Sequence, residues 1–285
     1  MKSIIKIGND KSISRIGHKL PDAITGIAYS AKEEGIAFYC SSDGSIGFVD
    51  DDGVRFVERR MEMAAPIGMC CDKWGVVMLQ ASEDMLWNFD QSFNYGMRFC
   101  GASLFSSIGQ MWPQDAHRFA PLGMCRTSED ALLVSIPWSH KVIAFRHGHV
   151  EYHIGSGKSG FSTSGSMSAA KLSVPRGVCF DDTSKTILVS DTGNKVVRLF
   201  KDGREVAFVG LPGSAGTSNG NGSSARLAYP TAISAKSGMV AFADDNLVRV
   251  FQTASLDVST PYASSNEIVD VTVGNGCVYV LEDSP

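Results

Sequence analysis

The chain has 285 residues, with 26 Lys or Arg against 30 Asp or Glu, and the resulting charge of −4 excludes a surface built throughout for nucleic acid or anionic lipid. Hydrophobic residues make up 44% and charged residues 20%, which supplies a sizeable core and argues against global disorder. No apolar run has the length of a membrane span, and Met1–Asp10 lacks a secretory apolar stretch. From the N-terminus, the predicted elements are short and β-rich. Ser3–Ile7 and Ser12–Ile16 read as strands. Then comes an anchor that recurs along the chain: Ile24-Thr-Gly-Ile-Ala28, Pro66-Ile-Gly-Met-Cys70, Pro121-Leu-Gly-Met-Cys125, Pro175-Arg-Gly-Val-Cys179, Pro230-Thr-Ala-Ile-Ser234 and Ile268-Val-Asp-Val-Thr272.

Each anchor leads into further short runs rich in Val, Ile and Phe, bounded by turn pairs such as Asp52-Gly53, Asp202-Gly203 and Asn275-Gly276. The fourth copy shows the pattern most fully, with strands predicted at Gly177–Phe180, Thr186–Ser190, Lys195–Phe200 and Glu205–Val209. Helical periodicity is absent, so the chain reads as all-β. The anchors stand about 40 to 55 residues apart, the length of a four-stranded unit. The last anchor leaves room for only two strands, and the segment before the first anchor holds two more. The expectation is a single six-bladed β-propeller over 1–285, closed by pairing N-terminal outer strands with C-terminal inner ones. Its blades fall at about 24–65, 66–120, 121–174, 175–229 and 230–267, with 268–285 plus 1–23 as the sixth.

Within the fourth unit, Pro175-Arg-Gly-Val, Ile187-Leu-Val-Ser-Asp191 and Asn194-Lys-Val-Val-Arg198-Leu-Phe200 resemble an NHL repeat. The fifth unit matches through Asp244, Asn246, Arg249 and Phe251, after the lead-in from Gly220 to Pro230. This resemblance implies the propeller fold and leaves several functions open. Such propellers serve as protein-interaction scaffolds and RNA-binding platforms, and related six-bladed folds include metal-dependent lyases and lactonases.

Several motif look-alikes lack the context their chemistry needs. Gly155-Ser-Gly157-Lys-Ser-Gly160 spells a dinucleotide fingerprint, yet it opens a Ser/Gly loop where a helix N-terminus would have to face the phosphates. Gly216-Thr-Ser218-Asn-Gly220 lies in a loop of an all-β chain and lacks the strand-to-helix elbow of a hydrolase. Asp191-Thr-Gly193 has no second copy to share a proton; Asp191 and Asn194 are expected to tie the turn between two strands. No nucleotide and no cofactor is therefore expected. Cys70, Cys125 and Cys179 take one inner-strand position in three consecutive units, where Ala28 and Ser234 stand elsewhere, and read as small apolar filler. The seven cysteines, an odd number set mostly in apolar runs, point to reduced thiols and a cytoplasmic location.

The strongest functional sign is asymmetry. The long connections at about 101–120, 155–174 and 210–229 emerge on one face by strand parity, and loops of this length without structure of their own are usually functional. They carry Trp112, His117, Lys158, Phe161, Arg226 and Tyr229, with Trp138 and His140 in a neighbouring turn. Aromatic residues beside basic ones suit a protein partner, and a glycan or single-stranded RNA uses the same residue types. The reading is a non-catalytic scaffold that binds a protein through this face, as a structural component of a larger assembly and with no membrane contact. The competing reading is a metal-dependent lyase or hydrolase at the channel mouth, with His117, His140 and Asp191 as the only metal set worth naming.

Overall fold

A computed structural model of the chain describes residues 2–16, 20–21, 24–31, 34–40, 45–50, 52–56, 66–71, 75–80, 85–90, 96–100, 123–147, 149–163 and 165–283. All regular elements in them are strands, apart from single 3₁₀ turns. Strands β1 (Lys2–Ile7) and β2 (Ile13–Ile16) come first. Sheet one follows with β3 (Ile24–Ser30), β4 (Gly35–Cys40), β5 (Ile46–Asp50) and β6 (Gly53–Phe56). Sheet two holds β7 (Pro66–Cys71), β8 (Gly75–Gln80), β9 (Met85–Asp90) and β10 (Gly96–Cys100). Sheet three holds β11 (Met124–Arg126), β12 (Leu132–Ile136), β13 (Lys141–Arg146) and β14 (His149–Ile154). Sheet four holds β15 (Pro175–Asp181), β16 (Thr186–Asp191), β17 (Val196–Lys201) and β18 (Arg204–Val209). A short β19 (Gly220–Asn221) then joins the outer edge of sheet five, which holds β20 (Pro230–Lys236), β21 (Met239–Asp244), β22 (Leu247–Gln252) and β23 (Asp257–Ala263). Finally β24 (Ile268–Gly274) and β25 (Cys277–Asp283) pair with the first two strands, in the order β2-β1-β25-β24.

The inner strands pack in a closed circuit: β3 against β7, β7 against β11, β11 against β15, β15 against β20, β20 against β24, and β24 back against β3. The chain is a β-propeller. Its termini meet in one sheet, where β1 runs antiparallel to β25 from Lys2 opposite Asp283 to Ile7 opposite Val278. The second strands Gly35–Cys40 and Thr186–Asp191 are buried along their whole length. Outer strands such as Arg204–Val209 and His149–Ile154 show water on one side and are correspondingly polar. The core lies between neighbouring sheets. Leu188, Val197 and Phe242, for example, share one cluster across sheets four and five.

The recurring anchor has a structural cause. Register shifts occur at Pro66/Gly68, Pro175/Gly177, Pro230/Ile233 and Ile268/Asp270, so each of these inner strands enters its sheet through a bulge. Proline suits the first position because it has no N–H to leave unpaired. Glycine at the third position lets the next sheet approach. A Cβ on Gly177 would fall inside van der Waals contact of the Thr231 carbonyl oxygen, and one on Gly123 would strike the backbone of Gly177 and Val178. Side chains then stitch sheet to sheet. Ser135 Oγ donates to the Arg176 carbonyl at 2.5 Å, and Thr192 Oγ1 donates to that of Pro230 at 2.6 Å.

Candidate recognition face and central channel

The loops on the crossover face are tied down by two buried arginines. Arg198 on β17 has no exposed surface, and all five of its donors are engaged. Nε donates to Glu205 Oε1 at 2.8 Å and Nη2 to Glu205 Oε2. Nη2 also reaches the Ser162 carbonyl, and Nη1 the Lys171 carbonyl, each at 2.7 Å. Nη1 lies 3.4 Å from Asp191 Oδ2. The guanidinium also sits 4.8 Å from the centre of the Phe161 ring, which meets Phe208 edge-on at 5.5 Å. One side chain on a rigid strand thus holds the 155–174 loop at two points, Ser162 and Lys171.

Sheet five repeats the device in a reduced form. Arg249 Nη1 donates to the Thr217 and Arg226 carbonyls, both at 3.3 Å, and Nη2 donates to Ser218 at 3.0 Å. Its carboxylate partner is Asp244 at 3.2 Å. Asp244 Oδ1 in turn accepts the backbone N–H groups of Ala228 and Tyr229 at 2.8 and 2.7 Å. Among the described residues no second carboxylate pairs with Arg249, and its Nε is buried without a partner. Burial pushes the Asp244 carboxyl up and the Arg249 guanidinium down, with the two charges opposing that shift in each other.

Asp191 behaves as a structural hub. Its Oδ1 accepts the Ser173 N–H at 2.6 Å, and its Oδ2 accepts Asn194 Nδ2 at 2.7 Å. Burial pushes its carboxyl up to about 6, against the pull of Asn194, the Ser173 amide and Arg198. Asp191 thus ties its own turn through Asn194 and joins that turn to the incoming crossover loop through Ser173. Both oxygens are committed within the fold, and the residue has no exposed surface. His140, in the left-handed position that ends the 3₁₀ turn Pro137–Ser139, uses Nδ1 to accept the Val174 N–H at 3.2 Å. Burial holds its imidazole pKa below the ordinary value. Among the described residues no three of His, Cys, Asp and Glu converge as metal ligands.

The residues expected on the binding face divide into supports and presenters. Phe161 and Arg226 are supports: the first lies under Arg198, and the second folds its Nη1 back onto the carbonyls of Ser223, Ser224 and Ala225. Lys158 is exposed, and Trp138 is half-buried in its turn. Tyr229 is 44% exposed, and the Arg176 guanidinium stands 5.4 Å from its ring centre. Trp112 and His117 lie outside the described residues. The pairing of Arg176 with Tyr229 leaves no mark in the sequence, since the two stand at opposite ends of the fourth unit.

Between the inner strands runs a cavity of about 690 Å³. Its wall includes Met69, Cys70, Cys125 and Cys179, together with the turns that follow the inner strands at Thr127–Asp130, Asp182–Thr183 and Lys236–Ser237. Burial pushes the Cys125 and Cys179 thiols well up from the ordinary thiol value. Deep in the wall stands Asp270, whose Oδ2 accepts the Ile27 N–H at 2.9 Å and whose Oδ1 accepts its neighbour Val271's at 2.8 Å. Part of its surface faces the cavity, yet protein surrounds it, and burial pushes its carboxyl up to about 7.

No family model and no curated protein matches this chain. Solved structures do. A structural-genomics protein of unknown function from Bacteroides thetaiotaomicron VPI-5482 is similar at 15% identity with a TM-score of 0.64, over 99% of this chain and 76% of its own. A chain of a nidogen–laminin complex is similar at 14% identity with a TM-score of 0.58, over 90% of this chain and 93% of its own. A streptogramin B lyase is similar at 10% identity with a TM-score of 0.56, over 99% of this chain and 98% of its own. At such identities the likeness establishes the propeller fold alone.

Proposed function

We propose that the chain is a six-bladed propeller of the NHL type, bladed as the anchors divide it, that serves as a non-catalytic scaffold for a protein partner. The partner sits on the crossover-loop face above blades three to five. The observation that carries this reading is the grip of Arg198 and Arg249 on five loop carbonyls. Loops so fixed form a surface that is already ordered before a partner arrives, which lowers the entropic cost of binding. Tyr229, Trp138 and Lys158 are its contact residues, joined by Trp112 and His117; aromatic and basic anchors are the residue types that dominate protein interfaces. A nidogen–laminin complex among the similar structures supports a partner-binding use of this fold. We place the scaffold in the cytoplasm, a reading supported by Cys125, Cys179 and Cys277, which form no disulfide. Among the described residues no helix is long and apolar enough to cross a membrane.

The test is photocrosslinking in extract of the source cells, with a photoreactive amino acid placed at position 229 or, as a control, at the outer-strand position 206. A discrete protein adduct from 229 and none from 206 is the expected result. The combined variant Trp138→Ala, Tyr229→Ala should lose that adduct with an unchanged melting temperature. Adducts of RNA alone, or equal adducts from both positions, would sink the proposal.

A further inference from the structure

The third anchor residue is glycine in β3, β7 and β15 and just before β11 at Gly123, and it is Ala232 in β20. In β24 it is Asp270. The neighbouring strand leaves no room for a Cβ at Gly123 or Gly177, whereas at the seam between β24 and β3 a whole carboxyl group fits and lines the cavity. Its protein partners are two backbone N–H groups, one on each oxygen, and a carboxylate oxygen has a further lone pair to offer. Among the described residues Asp270 makes no ion pair with Lys or Arg. A buried carboxylate held this way is costly, and the fold uses it where an alanine would have fitted the repeat.

The surrounding wall supplies the complementary groups. Ser234 Oγ accepts the Val273 N–H at 3.0 Å, and Thr272 Oγ1 accepts the Tyr29 N–H at 3.1 Å. Each hydroxyl therefore keeps its proton to donate. Thr183 and Lys236 stand in the turns at the mouth, on the face opposite the crossover loops. Formal charges cancel around the wall: Arg126, Arg176 and Lys236 face Asp130, Asp182 and Asp270, and Arg126 already bonds Asp130 at 2.7 Å. An anion would meet Asp270 and a cation would meet the three basic groups. We infer that the channel is a second binding site, independent of the loop face, for a small neutral polyhydroxylated ligand of the monosaccharide or cyclitol class, anchored by Asp270 accepting from its hydroxyls. The cavity volume falls in the range of small-molecule sites.

Saturation-transfer NMR and calorimetric titration of the full chain with D-glucose, D-galactose and myo-inositol test this. At least one of the three should bind with low-millimolar or better affinity. Asp270→Asn should weaken that binding by about tenfold or more, the scale of a lost polar anchor. Thr183→Trp, an exposed turn substitution that blocks the mouth, should abolish it and provides the test should Asp270→Asn misfold. Lys158→Ala on the other face should leave it unchanged. Failure of all three compounds to bind, or binding that survives in Thr183→Trp, would overturn the inference.

Discussion

Arg198 illustrates how much a single side chain organises. It sits between Asp191 and Glu205 with no exposed surface, and two of its donors hold loop carbonyls. Removing it leaves two buried carboxylates without their cation, so Arg198→Met should cost about 3–5 kcal/mol in urea unfolding. Arg198→Lys should recover little, because one ammonium cannot reproduce the planar fork. Arg249→Met should cost less, since it strands Asp244 alone and its own Nε is already bare. Asp270 gives a prediction of the opposite kind. Its carboxyl is raised to about 7 in the folded chain, against about 3.9 for a free one. Between those values the folded state carries a proton that the unfolded state lacks. Stability contributed by this group is therefore highest near pH 4, falls as pH rises to 7, and is flat above. Asp191, raised to about 6, acts in the same sense. In Asp270→Asn the Asp270 share of that slope, at most about 1.4 kcal/mol per pH unit, should vanish. Unfolding free energies of the variant and parent at pH 4.5, 6 and 8 will show whether their difference grows and then levels off.

At the level of elements, the anchor motif was legible because its physical demands are local. Proline and glycine at a bulge leave a periodic trace in the sequence, and alternating burial marks outer strands from inner ones. Asp191, Asn194 and Arg198 were equally visible as residue types. Their partners were not: the carbonyls of Ser162 and Lys171 belong to a Ser/Gly loop with no pattern of its own, and only the folded path brings them under the guanidinium. The same holds for Arg176 beside Tyr229. Asp270 stands out in the aligned anchors as the only acidic residue at its position, but the cavity that gives it meaning is a property of the ring, which no single repeat contains. Of the residues expected on the binding face, Phe161 and Arg226 have side chains spent on supporting the loops. Aromatic and basic residue types look alike in sequence whether they support a loop or present it.

The whole molecule depends on the pairing of its ends. Ile4 and Ile5 on β1 are buried, and every residue of Lys2–Ile7 has a partner on β25. Ser3 also meets the buried Glu282, which Tyr262 and Ser264 contact from sheet five at 3.0 and 2.6 Å. Deleting residues 1–7 should therefore abolish cooperative melting, or lower its midpoint by well over the shift that trimming a free tail causes. Differential scanning calorimetry of the truncated chain decides the point. The same pairing also orders events during synthesis. The ring's closing hydrogen bonds cannot form until β25 has been made, so the apolar edge Ser3-Ile4-Ile5 waits without its partner while almost all the other strands appear. A nascent chain thus carries a sticky strand until β25 emerges, and the stretch of chain between the two strands sets how long that edge must be shielded from other chains.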